Sequence, residues 1–107
     1  MDKSIEQRVK EHLCRSCGFD MEDAQELYGL GCRTVLDTRS RLAVAFLLSD
    51  MRELEEASHM LKGALFNMGL NELGEMARQM ELAGKAGRIE EARAVFQELH
   101  PALDCFL

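Results

Sequence analysis

The side chains best suited to chemistry lie together on one predicted helix: His59, Lys62, Gly63 and Phe66. With Leu54 set to zero and a step of about 100° per residue, Leu61 and Leu65 fall within roughly 20° of it. Ala57 and Met68 fall within about 60°, so these apolar residues mark the buried side. His59 falls at about 140°, Gly63 at about 180°, Phe66 at about 120° and Lys62 at about 80°, so all four share the outward side. An exposed imidazole is a competent nucleophile near neutral pH, because its unperturbed pKa is about 6.5. Lys62, one turn further on, can reach a negative group placed on that ring. Gly63 costs a helix about 1 kcal/mol relative to Ala. Close approach of a partner to the imidazole would explain it; so would packing of one helix on another. Phe66 would offer that partner apolar contact if it stands in the open, and would be core if it tucks between helices.

A second chemical cluster is weaker. His12, Cys14 and Cys17 form a CxxC preceded by a histidine, and Cys32 follows fifteen residues later. Zinc wants four such ligands and a second CxxC is missing. No βαβ pattern surrounds the pair, which argues against a thioredoxin-like redox centre. A metal or thiol sensor is therefore the minor reading, and reduced thiols are expected, with Cys105 as filler. Glu55-Glu56 and Glu90-Glu91 are neighbours in sequence and diverge on a helix, so they read as solvated faces. Met60 and Met68 are candidate rim contacts of a docking patch.

The elements that must hold these residues read as helices throughout. Ser4 with Gln7 fits a capping box, predicting a short first helix over about residues 5–13. Residues 14–19 read as a loop stopped by Gly18. Asp20 can cap a long second helix reaching Leu48, with a kink expected near Gly29 and Gly31. Asp50 with Glu53 caps the third, which ends at Gly69. Asn71 is expected to cap the fourth, and Gly84 and Gly87 to bracket a turn. The last carries Ile89, Ala92, Phe96, Leu99 and Leu103 as a bundle seam, with a break expected at His100-Pro101. Short loops between amphipathic helices imply an all-α fold: an antiparallel up-down four-helix bundle with an additional short N-terminal helix. Residues 1–19 form the added helix and loop, and 20–107 the bundle, in one compact domain.

Composition bounds the function. A chain of 107 residues has room for one core. Its net charge of −6, with 13 Lys and Arg scattered among 19 acids, makes nucleic acid or an anionic membrane a poor partner. The longest apolar run, 42–48, is far short of a bilayer span, and no leader precedes it, so a cytoplasmic protein is expected.

Ser58-His59-Met60-Leu61-Lys62-Gly63, followed by Asn67-Met68-Gly69, resembles the signature of histidine phosphotransfer (HPt) domains of two-component phosphorelays. The likeness extends upstream through Leu48 to Leu54, downstream through Gly69 to Leu73 and Met80 to Gly87, and covers about residues 20–105. It departs at Leu65 and Phe66, which are larger than the family's usual residues there. The resemblance implies a phosphoacceptor His59, with Lys62 stabilising phosphate charge and Gly63 letting partner loops come close. Phe66 and Met60 would touch the partner, and Lys85 would match the family's extra basic residue. It implies a relay intermediate rather than a self-sufficient enzyme. Its partners, expected in trans, would be receiver domains of a response regulator or a hybrid histidine kinase. No cofactor or metal is expected on this chain, since Mg²⁺ belongs to the receiver, and a monomer is expected. The alternative from the same residues is an HPt-like interaction module that binds a receiver or kinase without accepting phosphate.

Overall fold

The computed structural model describes residues 3–107. Five helices follow in order: α1 (Lys3–Arg15), α2 (Met21–Leu48), α3 (Met51–Asn67), α4 (Asn71–Lys85) and α5 (Ile89–Ala102), and a 3₁₀ turn, Leu103–Phe106, closes the chain. There is no strand among the described residues, and no described helix is long and apolar enough to cross a membrane. Helix α2 packs on α3, α3 on α4 and α4 on α5, while α5 and the 3₁₀ turn return to α2; α1 lies along α2. The shared core includes Leu42, Leu54, Leu61, Leu65, Met80, Leu99, Leu103 and Phe106, with Val9 and Leu13 joining from α1. The Phe46 and Phe96 rings stack at a centroid distance of 5.0 Å. Arg39 donates to the His100 carbonyl at 2.9 Å and to Asp104 at 2.6 Å, tying α2 to the chain's end.

Two predicted caps hold. The Asp20 carboxylate accepts from the Asp23 N–H at 2.8 Å and the Asp50 carboxylate from the Glu53 N–H at 3.1 Å. Each satisfies an orphan donor of a first turn. Asp50 makes only half of a capping box, because the Glu53 side chain turns away to Arg41 at 2.6 Å. Ser49, at φ 52°, ends α2, and the Asp50 N–H reaches back to the Ala45 carbonyl at 2.9 Å, so two residues reverse the chain. The turn after α3 has Gly69 at φ +77°, with the Leu70 N–H bonded to the Leu65 carbonyl at 3.0 Å. That left-handed stop is where glycine carries no steric cost.

Other expectations need correction. Ser4 lies inside α1 rather than before its first turn, and the Gln7 side chain donates to Glu11 at 3.4 Å. Helix α1 runs on through Cys14 and Arg15, since the Ser16 N–H still bonds the His12 carbonyl at 2.9 Å. Helix α2 is unbroken: Gly31 seats the Met68 side chain, whose sulfur would lie 2.6 Å from a Cβ there. Asn71 is the first residue of α4, and Leu70 holds the cap position without a side-chain bond. Gly84 belongs to α4 itself. Pro101 is accommodated within α5, one residue from its end, and the chain then tightens into the 3₁₀ turn.

Phe66 also differs from an open surface ring. It is half-buried, and a Cβ at Gly74 of α4 would lie 2.9 Å from two of its ring carbons. The glycine is therefore a seat for the ring. Gly74→Ala should destabilise the protein by about 1 kcal/mol in urea denaturation, because the clash exceeds the helix-propensity gain. In a Phe66→Ala background the same change should instead stabilise by up to about 1 kcal/mol. Identical effects in both backgrounds would refute the seat.

Candidate functional site

The site is built across the seam between α3 and α4. Helix α3 is held by its inward side, Leu54, Ala57, Ser58, Leu61 and Leu65, all buried. This leaves His59 outward, with 68% of its side chain exposed. On α4 the residues Gly74, Ala77, Glu81 and Gly84 are all buried and recur at helical spacing on the face toward α3. Gly74 takes the Phe66 ring, and Gly84 takes a methyl of Leu54 that would lie 2.7 Å from a Cβ. The two helices thus approach closely on both sides of Glu81.

Glu81 is a carboxylate with only 4% of its side chain exposed, and three groups converge on it. One carboxylate oxygen is 2.7 Å from His59 Nδ1 and the other accepts from Lys62 Nζ at 2.8 Å. Lys85 Nζ lies 3.8 Å from the first oxygen, one turn along α4. A buried charge persists only when paired and hydrogen-bonded, and Glu81 meets both conditions. Burial alone would raise its pKa. The hydrogen bonds from Lys62 and His59, with the charges of Lys62 and Lys85, outweigh burial and hold the carboxyl below its usual range.

The geometry sets what the imidazole can do. An ionised carboxylate only accepts hydrogen bonds, so the bond to Glu81 requires a proton on Nδ1. In the neutral ring Nε2 then carries the lone pair, on an exposed side chain. The carboxylate fixes ring orientation and tautomer together, as partners of metal-bound histidines do.

Two hollows flank the ring, and His59 and Met60 line both. One, about 510 Å³, is lined mainly by charged residues, among them Arg52, Glu55, Glu56 and Lys85. The other, about 640 Å³, is a mostly apolar groove including Phe19, Leu30, Gly63 and Met68. A Cβ built at Gly63 meets nothing within 4 Å, so no neighbouring helix needs that glycine. Arg41 donates to the Met60 sulfur at 3.0 Å.

Of the residues singled out by sequence, His59, Lys62 and Lys85 meet at one carboxylate, and Met60 and Gly63 lie beside them. Phe66 lines neither hollow that His59 lines. Glu81 was missed as a site residue. Its signal was present: a lone carboxylate in the apolar stripe Ala77, Glu81, Gly84, where a charge needs a partner. The cysteines are not gathered into a ligand set: among the described residues no group of three or more His, Cys, Asp or Glu side chains could hold a metal.

The Glu81 arrangement has a pH signature. Its folded pKa lies below the unfolded value of about 4.3. Its stabilisation is complete above that value and lost as pH falls through the lower folded one. Urea midpoints of the wild type should therefore fall more steeply below about pH 4.3 than those of Glu81→Gln. Parallel acid limbs would show that this carboxylate is not stabilised by its three partners.

A family model, the Hpt domain, matches residues 26–105. No curated protein and no solved structure matches the chain. The matched region contains α3, α4, His59, Lys62, Gly63, Glu81 and Lys85. Together with the helical architecture and the exposed, carboxylate-held histidine, this coverage means that the chain belongs to the Hpt domain family.

Proposed function

We propose that the protein is a phosphorelay intermediate that accepts a phosphoryl group on His59 Nε2 and exchanges it with an aspartate of a receiver domain. Membership of the Hpt family implies phosphotransfer in two-component signalling. The observation that carries the residue assignment is the 2.7 Å hydrogen bond that Nδ1 of an otherwise exposed ring donates to the buried Glu81 carboxylate. In transfer from a receiver, the Nε2 lone pair attacks the phosphorus of an aspartyl phosphate. The phosphorus–oxygen bond to aspartate breaks, and the carboxylate leaves with the electron pair. The ring keeps its Nδ1 proton and gains positive charge, which the Glu81 carboxylate offsets at the hydrogen bond. Lys62 and Lys85 stand on the same carboxylate and stabilise the incoming phosphoryl oxygens. Mg²⁺ belongs to the receiver's chemistry.

Helices α2 to α5 form an antiparallel up-down bundle in this reading, with α1 alongside, as their short connections favour. The receiver, of a response regulator or a hybrid histidine kinase, docks on the outward side of α3, with Met60 at the rim and Gly63 clearing its path. Phe66 acts indirectly by holding the α3–α4 seam. A monomeric cytoplasmic protein fits this role.

Labelling from a phosphorylated cognate receiver should be lost in His59→Gln; label that survives would sink the assignment. Gly63→Ala separates a docking role from a packing role. The variant should gain about 1 kcal/mol of helix stability in urea, yet transfer should fall at least tenfold because the new methyl group faces the partner. Full transfer in the stabilised variant would remove Gly63 from the site. Glu81→Gln should slow transfer while receiver binding persists, since Gln holds the ring without supplying charge. An unchanged rate would contradict the role given to the carboxylate.

A further inference from the structure

Away from the Glu81 cluster the structure pairs a second nucleophile with a base. The exposed Cys17 Sγ lies 3.8 Å from His12 Nε2. That is within hydrogen-bonding range for sulfur. The His12 ring is half-buried and fixed against the α3–α4 turn: a Cβ at Gly69 would lie 2.5 Å from His12 Cγ and 2.7 Å from Nδ1. With its other edge held by the bundle, the imidazole presents Nε2 to the thiol. Cys17 also lines the apolar groove of about 640 Å³ that holds Phe19, Met60, Gly63 and His59. Grooves of roughly 300–1,000 Å³ with mostly apolar walls suit small molecules. A nucleophile, its base and a bed for the group it would carry therefore coincide at one edge of the groove.

We propose that Cys17 is a modification site that exchanges with a low-molecular-weight disulfide, and that the resulting adduct lies in the groove beside His59. His12 Nε2 takes the thiol proton, and the thiolate attacks one sulfur of the disulfide. The sulfur–sulfur bond breaks, the leaving thiolate departs with the electron pair and the proton returns to it from His12. The protein thiol is oxidised to a mixed disulfide and one thiol of the reagent is released, so the exchange is reversed by excess reduced thiol. Only the consequence for phosphotransfer rests on His59 as phosphoacceptor; the exchange at Cys17 stands independently.

The test uses the full chain and dipyridyl disulfide, a neutral aromatic probe whose released thione is read by absorbance and whose adducts are mapped by mass. Cys17 should react about tenfold faster than Cys14, since only its sulfur is exposed with a base in reach to take the proton as it attacks. Removing the neighbouring base by His12→Gln should slow Cys17 by about tenfold and leave Cys14 unchanged. Equal rates at the two cysteines in the wild type would overturn the activation, and that comparison needs no variant. In the adduct, carbethoxylation of His59 by diethyl pyrocarbonate should slow severalfold and recover on reduction. Unchanged His59 labelling would overturn the placement of the adduct in the groove. Both readouts are independent of phosphate transfer, so a chain that reacts as described but never carries phosphate would refute the function proposed above and leave this inference standing.

Discussion

A carboxylate nearly sealed from water at Glu81 is the constraint around which the α3–α4 pair is organised. Isolated, such a charge would cost several kcal/mol. Here it is met by the imidazole of His59 at 2.7 Å and the ammonium of Lys62 at 2.8 Å, with Lys85 nearby. Removing the carboxylate would leave Lys62, itself mostly covered, without its counter-charge, and would free the ring to rotate. The interaction that makes the seam electrostatically tolerable is thus the one that orients the His59 ring. The pairing of the buried charge and the orientation of the exposed ring share one group.

The rest of the bundle serves that arrangement at a distance. The two-residue reversal at Ser49-Asp50 sets where α3 begins, and its buried leucines set which face turns inward. The Arg39 bonds to the chain's end and the Phe46–Phe96 pair hold α2 to α5, away from the site. Helix α1, outside the matched region, adds Val9 and Leu13 to the core, and Cys17 in the turn after it joins the groove wall.

Much of this was legible in the residues. The apolar stripe of α3 predicts its buried face, and His59 does stand outward. Asp20 and Asp50 act as caps, because a short acceptor before an apolar-periodic run is a local signal needing no knowledge of the fold. What could not be read was reciprocal. Phe66 lies on the outward half of its own helix, but Gly74 on the next helix leaves room for its ring. Gly31 resembled a kink, but is the hollow that Met68 fills. Glu81 looked like one acid among many until its helix face was known to be buried. Each outcome depends on which residue of another helix lies opposite, and periodicity within one helix carries no such information. The cap expected of Asn71 differs for a local reason: after the left-handed stop at Gly69, Leu70 takes the cap position and Asn71 begins α4.

The two close approaches between α3 and α4 have a geometric corollary. Gly74 sits seven residues before Glu81 and Gly84 three residues after it, which at 1.5 Å per residue is about 10 Å on one side and about 5 Å on the other. The two contacts act as spacers, setting the gap between the helix axes at Glu81 much as two pins set the separation of a pair of rods. A hydrogen bond of 2.7 Å across that gap tolerates a change of only a few tenths of an ångström. The orientation of the His59 ring is therefore gauged by methyl-sized differences at positions that never touch it, and the bundle's precision is distributed along the seam rather than concentrated at the ring.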